Sequence, residues 1–362
     1  MKIPVRRQLK LLPIYVLILA AFSSCVSRPD LIEAAAVTID TTVITPPDET
    51  TIYIPPEIEV PVQIIPSLSP IEQVIEYVKE NGTEIEKYFI FDQNRRIVVK
   101  ADLRLGDSHF EVTYNLVDAA ELGNSEYEVT FTVLEKDTNE VQESALIWKP
   151  VAGNAGILLS LDDDYFETWE RYMDFFDEHG VKITFFIQGS YVPFSTMAME
   201  RGHDVGFHTL SHLDLRQLSR PDFLLEAVES AQSFRQAGVP LSSLAFPYGF
   251  SEAWMYDILL EHYSVLRGYG TTFRLYRMEE IGSAYIASMA IDNTVLQGED
   301  NFYRTINTIL RTVKFMDKNW VLPLTSHDIS NASWAIRHNR LERLLQAAAE
   351  LKLKFYKYSD FN

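Results

Sequence analysis

From about Ala152 onward the chain alternates short apolar runs with amphipathic stretches. The runs Ile157–Leu161, Lys182–Ile187, Asp204–Phe207, Ser243–Phe246, Ser264–Leu266, Tyr285–Ile291 and Val321–Thr325 have the length and apolar continuity of buried strands. Between them lie Glu167–His179, Pro221–Ala237, Asn301–Lys318 and Ser333–Leu351, with apolar residues at helical spacing. Strands that alternate with helices pair in parallel through crossovers. About 210 residues in this pattern suit a (β/α) barrel, slightly below the ~250 of an eightfold one.

The preceding stretch reads differently. Ile71–Lys79 (IEQVIEYVK) is amphipathic and stops at Asn81-Gly82. Alternating runs follow at Tyr88–Asp92, Arg96–Ala101, Phe110–Leu116 and Tyr127–Leu134, separated by the turn pairs Gly106-Asp107 and Gly123-Asn124. They predict a small α+β domain over residues 71–150, a spacer or a glycan-contacting module, without a His, Cys or paired-carboxylate cluster. Residues 26–70 hold eight of the sixteen prolines and keep neither the helical nor the strand period. Residues 25–70 therefore read as a Pro/Thr-rich tether, able to reach on the order of 100 Å at ~3.1 Å per residue.

The N-terminus adds a compartment. Lys2, Arg6, Arg7 and Lys10 precede the apolar run Leu11–Phe22, which is too short to span a bilayer. This is the order of an export signal over residues 1–24. The segment Ala20–Cys25 resembles a bacterial lipoprotein signal, with Phe22 where an aliphatic residue is usual. That resemblance implies acylation of Cys25 and a lipid-anchored, exported protein of the bacterial cell envelope; a free thiol behind an ordinary signal is the alternative. Among 362 residues Cys25 is the sole cysteine, so an intrachain disulfide is excluded. The net charge is −19, and loss of residues 1–24 (four basic, no acidic) takes it to −23. Such an acidic chain argues against a nucleic-acid partner.

Candidate chemistry gathers at the ends of the predicted strands. Asp162-Asp163-Asp164 closes the first one. Adjacent carboxylates at a strand end point different ways, so one can bind a metal while another stays unligated. His208 and His212, at i and i+4, would share one face if the backbone there is helical, as a metal chelate needs. His327-Asp328 follows the last strand.

The order Asp162-Asp163, His208-x-x-x-His212, Phe246-Pro247-Tyr248-Gly249 and Leu324-x-x-His327 resembles the polysaccharide deacetylase family (carbohydrate esterase family 4, the NodB homology domain). The likeness runs from about Gly156 to Phe355 and includes His179–Gly189, similar to the family's helix end and second strand. It implies a distorted (β/α)7-type barrel of the NodB kind over residues 151–362, in an α/β chain. It implies that Asp163, His208 and His212 hold one divalent metal, Zn2+ foremost, with Co2+, Mn2+ and Ni2+ as alternatives. Asp162 would be the general base, His327 the general acid, and the backbone N–H of Tyr248 an oxyanion donor. Pro247, Tyr248 and Trp334 would meet the sugar, and Tyr165, Tyr191 and Trp254 are further candidates for stacking on it. The reaction implied is removal of N-acetyl groups from an envelope or extracellular polysaccharide. A glycan-binding lipoprotein without turnover and an O-acetyl esterase are the alternatives.

The chain departs from that pattern at Leu161, at Asp164, which adds a third carboxylate, and at Ala245, where many members carry arginine. The arginine that often steadies the catalytic aspartate from a later strand is not apparent within Tyr285–Asp292. His109, His179, His203, His262 and His338 have no motif context and read as structural or surface residues.

Overall fold

The computed structural model describes residues 55–61, 67–91, 96–116, 126–270, 272–282, 284–316 and 318–361. The export signal, Cys25 and most of the tether lie outside them. Residues 52–362 belong to one compact unit.

The module before the barrel is a six-stranded sheet with one helix. Its strands are β1 (Ile58–Glu59), β2 (Tyr88–Phe91), β3 (Ile97–Leu105), β4 (Ser108–Asn115), β5 (Tyr127–Glu135) and β6 (Glu140–Trp148). Helix α1 (Pro70–Asn81) starts at a capping box, where the Ser69 N–H donates to Glu72 at 2.7 Å, and buries Ile71, Val74, Ile75 and Val78. Two features differ from the sequence reading. Ile58–Glu59, within the stretch read as tether, pairs in parallel with β3, and Val60 is buried; two residues are too few to show a period. Strand β6 pairs with β5 over its whole length, but as an edge strand it exposes Glu140, Val141, Glu143 and Ile147, so its alternation is weak.

The barrel strands are β7 (Gly156–Asp163), β8 (Thr184–Ile187), β9 (Asp204–Phe207), β10 (Ser243–Ala245), β11 (Val265–Gly270), β13 (Ala284–Ala290) and β14 (Trp320–Ser326). Each pairs in parallel with the next, and β14 closes on β7 from Val321↔Gly156 to Ser326↔Leu161. This is a closed, parallel seven-stranded barrel, with all seven strands at the predicted places. A short antiparallel strand, β12 (Tyr276–Arg277), pairs with β14, and β17 (Lys354–Tyr356) lies along β7. A third, two-stranded sheet joins β15 (Asp328–Ile329) to β16 (Ala335–Ile336). Strands β8, β9, β10 and β14 are buried at every residue because helices cover the outer face and side chains fill the inner one.

Helix α2 (Phe166–Glu178) covers the barrel with Trp169, Met173 and Phe176, and α3 (Val192–Glu200) with Phe194 and Ala198. The helix expected over 221–237 is interrupted: α4 (Arg220–Leu224) and α5 (Gln232–Gln236) flank a π-turn over Leu225–Glu229. In that wider turn the Glu226 carbonyl accepts the Leu210 N–H at 3.1 Å, and its carboxylate accepts the Ser211 N–H at 2.8 Å. The interruption thus ties the helix to the loop that carries His208 and His212. The remaining helices are α6 (Ala253–Leu259), α7 (Glu299–Met316) and α8 (His338–Glu350).

The module shares its core with the barrel. Phe315, at the end of α7, meets Tyr114 (4.9 Å between centroids) and Trp148 (5.3 Å) edge-to-face, and Phe89 meets Trp320 (5.2 Å). Trp320 is the first residue of β14, so the module covers the rim at which the strands begin. Among the described residues no helix is long and apolar enough to cross a membrane.

Candidate active site

The opposite rim, where the strands end, carries every group of the constellation. Its backbone is strained: Asp163, Thr209, His212 and Tyr248 all adopt left-handed φ, between 55° and 87°. Such conformations are costly for residues with a Cβ and concentrate where a side chain must be aimed. The segment His208–His212 is therefore not helical, contrary to the expectation. β9 ends at Phe207, and the left-handed residues fold the loop so that the two imidazoles meet at 4.8 Å between centroids.

Asp163, His208 and His212 each offer one ligand atom, and those atoms lie within 4.8 Å of one another. Asp163 Oδ1 is 3.4 Å from His208 Nε2 and 3.5 Å from His212 Nε2. The Nδ1–H of His208 donates to the Ala245 carbonyl at 2.9 Å, which leaves the Nε2 lone pair facing Asp163. Burial, then the neighbouring His208, pushes the His212 imidazole down to about 4. Asp163 Oδ1 and His208 Nε2 are buried without a hydrogen-bond partner. Buried acceptors that converge in this way fit a small cation.

Asp162 points to the other side of the strand and is fully buried. Its Oδ2 accepts from the Arg267 guanidinium and, at 2.8 Å, from the Tyr269 hydroxyl; Thr325 Oγ1 stands 3.4 Å from Oδ1. Burial alone would raise this carboxyl, but the Arg267 charge, joined by His208 and His327, outweighs it and holds Asp162 below its usual range. Arg267 is itself inaccessible and stacks over the Phe186 and Tyr269 rings at 5.0 and 4.8 Å.

This arginine corrects the sequence reading, which sought it within Tyr285–Asp292. It lies on β11, and the expected strand Ser264–Leu266 stopped one residue short of it. Arg267 pairs in register with Ala245 of β10, so the guanidinium missing at 245 arrives from the adjacent strand. Tyr269 and Asp292 were missed as well. The available signal was alternation: Arg267 and Tyr269 are two apart on one strand and face one side.

His327 is held at both nitrogens. Nδ1 lies 3.1 Å from Asp292 Oδ2, whose Oδ1 accepts from Ser326 Oγ at 2.5 Å, and Nε2 lies 3.0 Å from the Tyr269 hydroxyl. Burial would lower this imidazole, but the Asp292 charge and hydrogen bond, with Asp163 and Asp162 behind them, raise it to about 9. The Trp169 indole steadies the backbone by donating to the His327 carbonyl at 3.0 Å.

The Pro247-Tyr248-Gly249 turn follows β10. Tyr248 keeps its ring half-exposed, 4.6 Å from His212 between centroids, and Pro247 is buried beneath. A Cβ on Gly249 would stand 2.6 Å from the Tyr269 amide nitrogen, so only glycine lets the turn lie there. Trp334 reaches His327 edge-on, at 6.1 Å. Tyr191 packs on Phe166, Trp254 on Phe223 and Tyr165 against Trp169. His203 is buried in the core, and His109, His179 and His338 make local contacts with Glu57, the Phe175 carbonyl and Tyr172.

The strand ends of the parallel barrel thus gather an Asp/His/His cluster, a second buried carboxylate and a carboxylate-backed histidine. Residues 151–262 match the model of the polysaccharide deacetylase family. It is 30% identical over 114 residues to a chitooligosaccharide deacetylase of Sinorhizobium fredii, covering 30% of this chain and 52% of that one. It is 28% identical over 116 residues to a gellan lyase of a Bacillus species, covering 30% of this chain and 4% of that one. The chain thus spans about half of the first of these relatives and a small part of the second. The solved chitin deacetylase of Colletotrichum lindemuthianum superposes with a TM-score of 0.42 at 15% identity, over 58% of this chain and 88% of that one.

Proposed function

We propose that the protein is a divalent-cation-dependent hydrolase that removes N-acetyl groups from a polysaccharide. The observation that carries this reading is the convergence at one rim of a cation-type donor set, a second buried carboxylate and a carboxylate-backed histidine. Asp163, His208 and His212 would hold the cation, Zn2+ foremost. A divalent cation at such a site polarises a carbonyl oxygen and makes water easier to deprotonate.

The chain's own groups supply the rest. Asp162, kept ionised by Arg267, takes the proton from the water that attacks the acetyl carbon. Arg267 and Tyr269 both occupy Oδ2, whereas Oδ1 accepts only the long 3.4 Å bond from Thr325 Oγ1 and keeps a lone pair for that transfer. The backbone N–H of Tyr248 steadies the developing oxyanion. His327 gives a proton to the departing sugar nitrogen, because an amide anion is far too basic to leave in water. Acetate and an amino sugar result. Cys25, acylated after export, would hold the enzyme at the envelope, a reading supported by the basic, apolar and small residues before it.

The test is acetate release from N-acetylglucosamine oligomers before and after chelation, with an O-acetylated glycan as the competing substrate. Activity should vanish on chelation and return with added cation; equal rates after stripping would overturn the reading. A second expectation concerns pH. His327 must be protonated to act as the acid, and Asp292 is the foremost group that keeps it so. Asp292→Asn should therefore move the alkaline limb of the rate profile to lower pH, measured on the same oligomers. An unmoved limb would remove His327 from the role of acid.

A further inference from the structure

We propose that Tyr269 is a positioning residue that sets the general base and the general acid at a fixed separation and keeps the acid protonated between turnovers. The proposal rests on the assignment of Asp162 and His327 to those roles. Among the described residues its hydroxyl alone hydrogen-bonds to both: 2.8 Å to Asp162 Oδ2 and 3.0 Å to His327 Nε2.

The direction of these bonds follows from chemistry. Asp162 Oδ2 already accepts from the Arg267 guanidinium, so in its bond with Tyr269 the hydroxyl is the donor and its proton points to Asp162. The phenol oxygen then presents its lone pairs to His327, which can satisfy them only with Nε2 protonated. Nδ1 is committed in the same way, since Asp292 also only accepts. The arrangement therefore selects the imidazolium, the form an acid needs at the start of a cycle. Burial, then the Asp162 charge, pushes the Tyr269 hydroxyl well above its ordinary range, so it keeps its own proton.

The ring is as constrained as the hydroxyl. The Arg267 guanidinium lies over one face at 4.8 Å, and the turn at Gly249 leaves no room for a Cβ beside the Tyr269 backbone and ring. Tyr269 thus joins the base, the acid and the turn that carries the Tyr248 N–H. A shift of about 1 Å in such a group can cost on the order of 100-fold in rate. The charged and titratable groups that face His327 are Asp162 and Asp163 from β7, His212 from the loop after β9, Tyr269 from β11 with Arg267 behind it, and Asp292 after β13.

The experiment compares full-length wild type with Tyr269→Phe, which keeps the ring and removes only the hydroxyl. For acetate release, kcat should fall about 10- to 100-fold with KM within about threefold, because positioning acts on the transition state and not on ground-state binding. The alkaline limb should move to lower pH, and cation content should stay unchanged. A readout independent of turnover is the 15N resonance of His327 Nε2, which should shift toward a less protonated, solvent-like imidazole. An unchanged resonance, or an unchanged kcat and alkaline limb, would overturn the proposal. A wild type that releases no acetate, while its His327 resonance still responds to Tyr269→Phe, would sink the deacetylase assignment and support the clamp.

Discussion

His208→Ala should abolish both cation retention and acetate release while the barrel stays folded. The imidazole provides one of three donors, and its Nδ1 hydrogen bond to the Ala245 carbonyl is what aims the lone pair. Loss of an outer hydrogen-bond partner alone costs a metal site about 10- to 100-fold in affinity, so loss of a ligand should exceed that. Alanine removes a buried acceptor without a hydrogen-bond partner, but it also breaks the bond to the Ala245 carbonyl and leaves a cavity, so the apo protein should lose on the order of 1–3 kcal/mol of stability. Metal analysis after dialysis, with acetate release and a thermal melt on the same sample, separates these effects. Wild-type cation content in the variant would remove His208 from the donor set.

Arg267→Met should be the most destabilising single substitution at the site. It leaves Asp162 fully buried with its countercharge gone. Breaking a buried pair from one side costs ~3–5 kcal/mol, against a typical domain stability of ~5–15 kcal/mol. The sign of the pH response should reverse as well. In the wild type the depressed Asp162 carboxyl contributes stability above the unfolded carboxylate range, which is lost as pH falls through its folded value. In the variant burial dominates, the carboxyl rises, and stability drops as pH increases toward neutrality. Denaturant unfolding across pH measures this. Pairing Arg267→Met with Asp162→Asn should recover most of the stability and none of the activity; a double variant as unstable as the single one would place the damage elsewhere.

The barrel was largely legible in the sequence because parallel strands buried on both faces appear as continuous apolar runs, and all seven did. The convergence of Asp163, His208 and His212 was legible because they sit in short, ordered motifs at strand ends. Three kinds of feature were not. Strand β6 buries only two of its nine residues, so burial leaves little trace in its pattern. The shape of the 208–212 loop depends on left-handed φ at Thr209 and His212, residues whose side chains give no hint of it. Arg267, Tyr269 and Asp292 act through partners that are distant in the chain, such as Asp162, 105 positions before Arg267. Spacing along the chain does not report such pairs; only the closed sheet brings them together.

The pairing of Ala245 with Arg267 reaches beyond this chain. Two neighbouring rungs of a barrel share one address, and the cation delivered there can be posted from either. A lineage could change the sender by way of a form that carries both, without passing through one that carries neither. Searches that demand an unbroken string of letters would discard such descendants, whereas a search by rung would retain them.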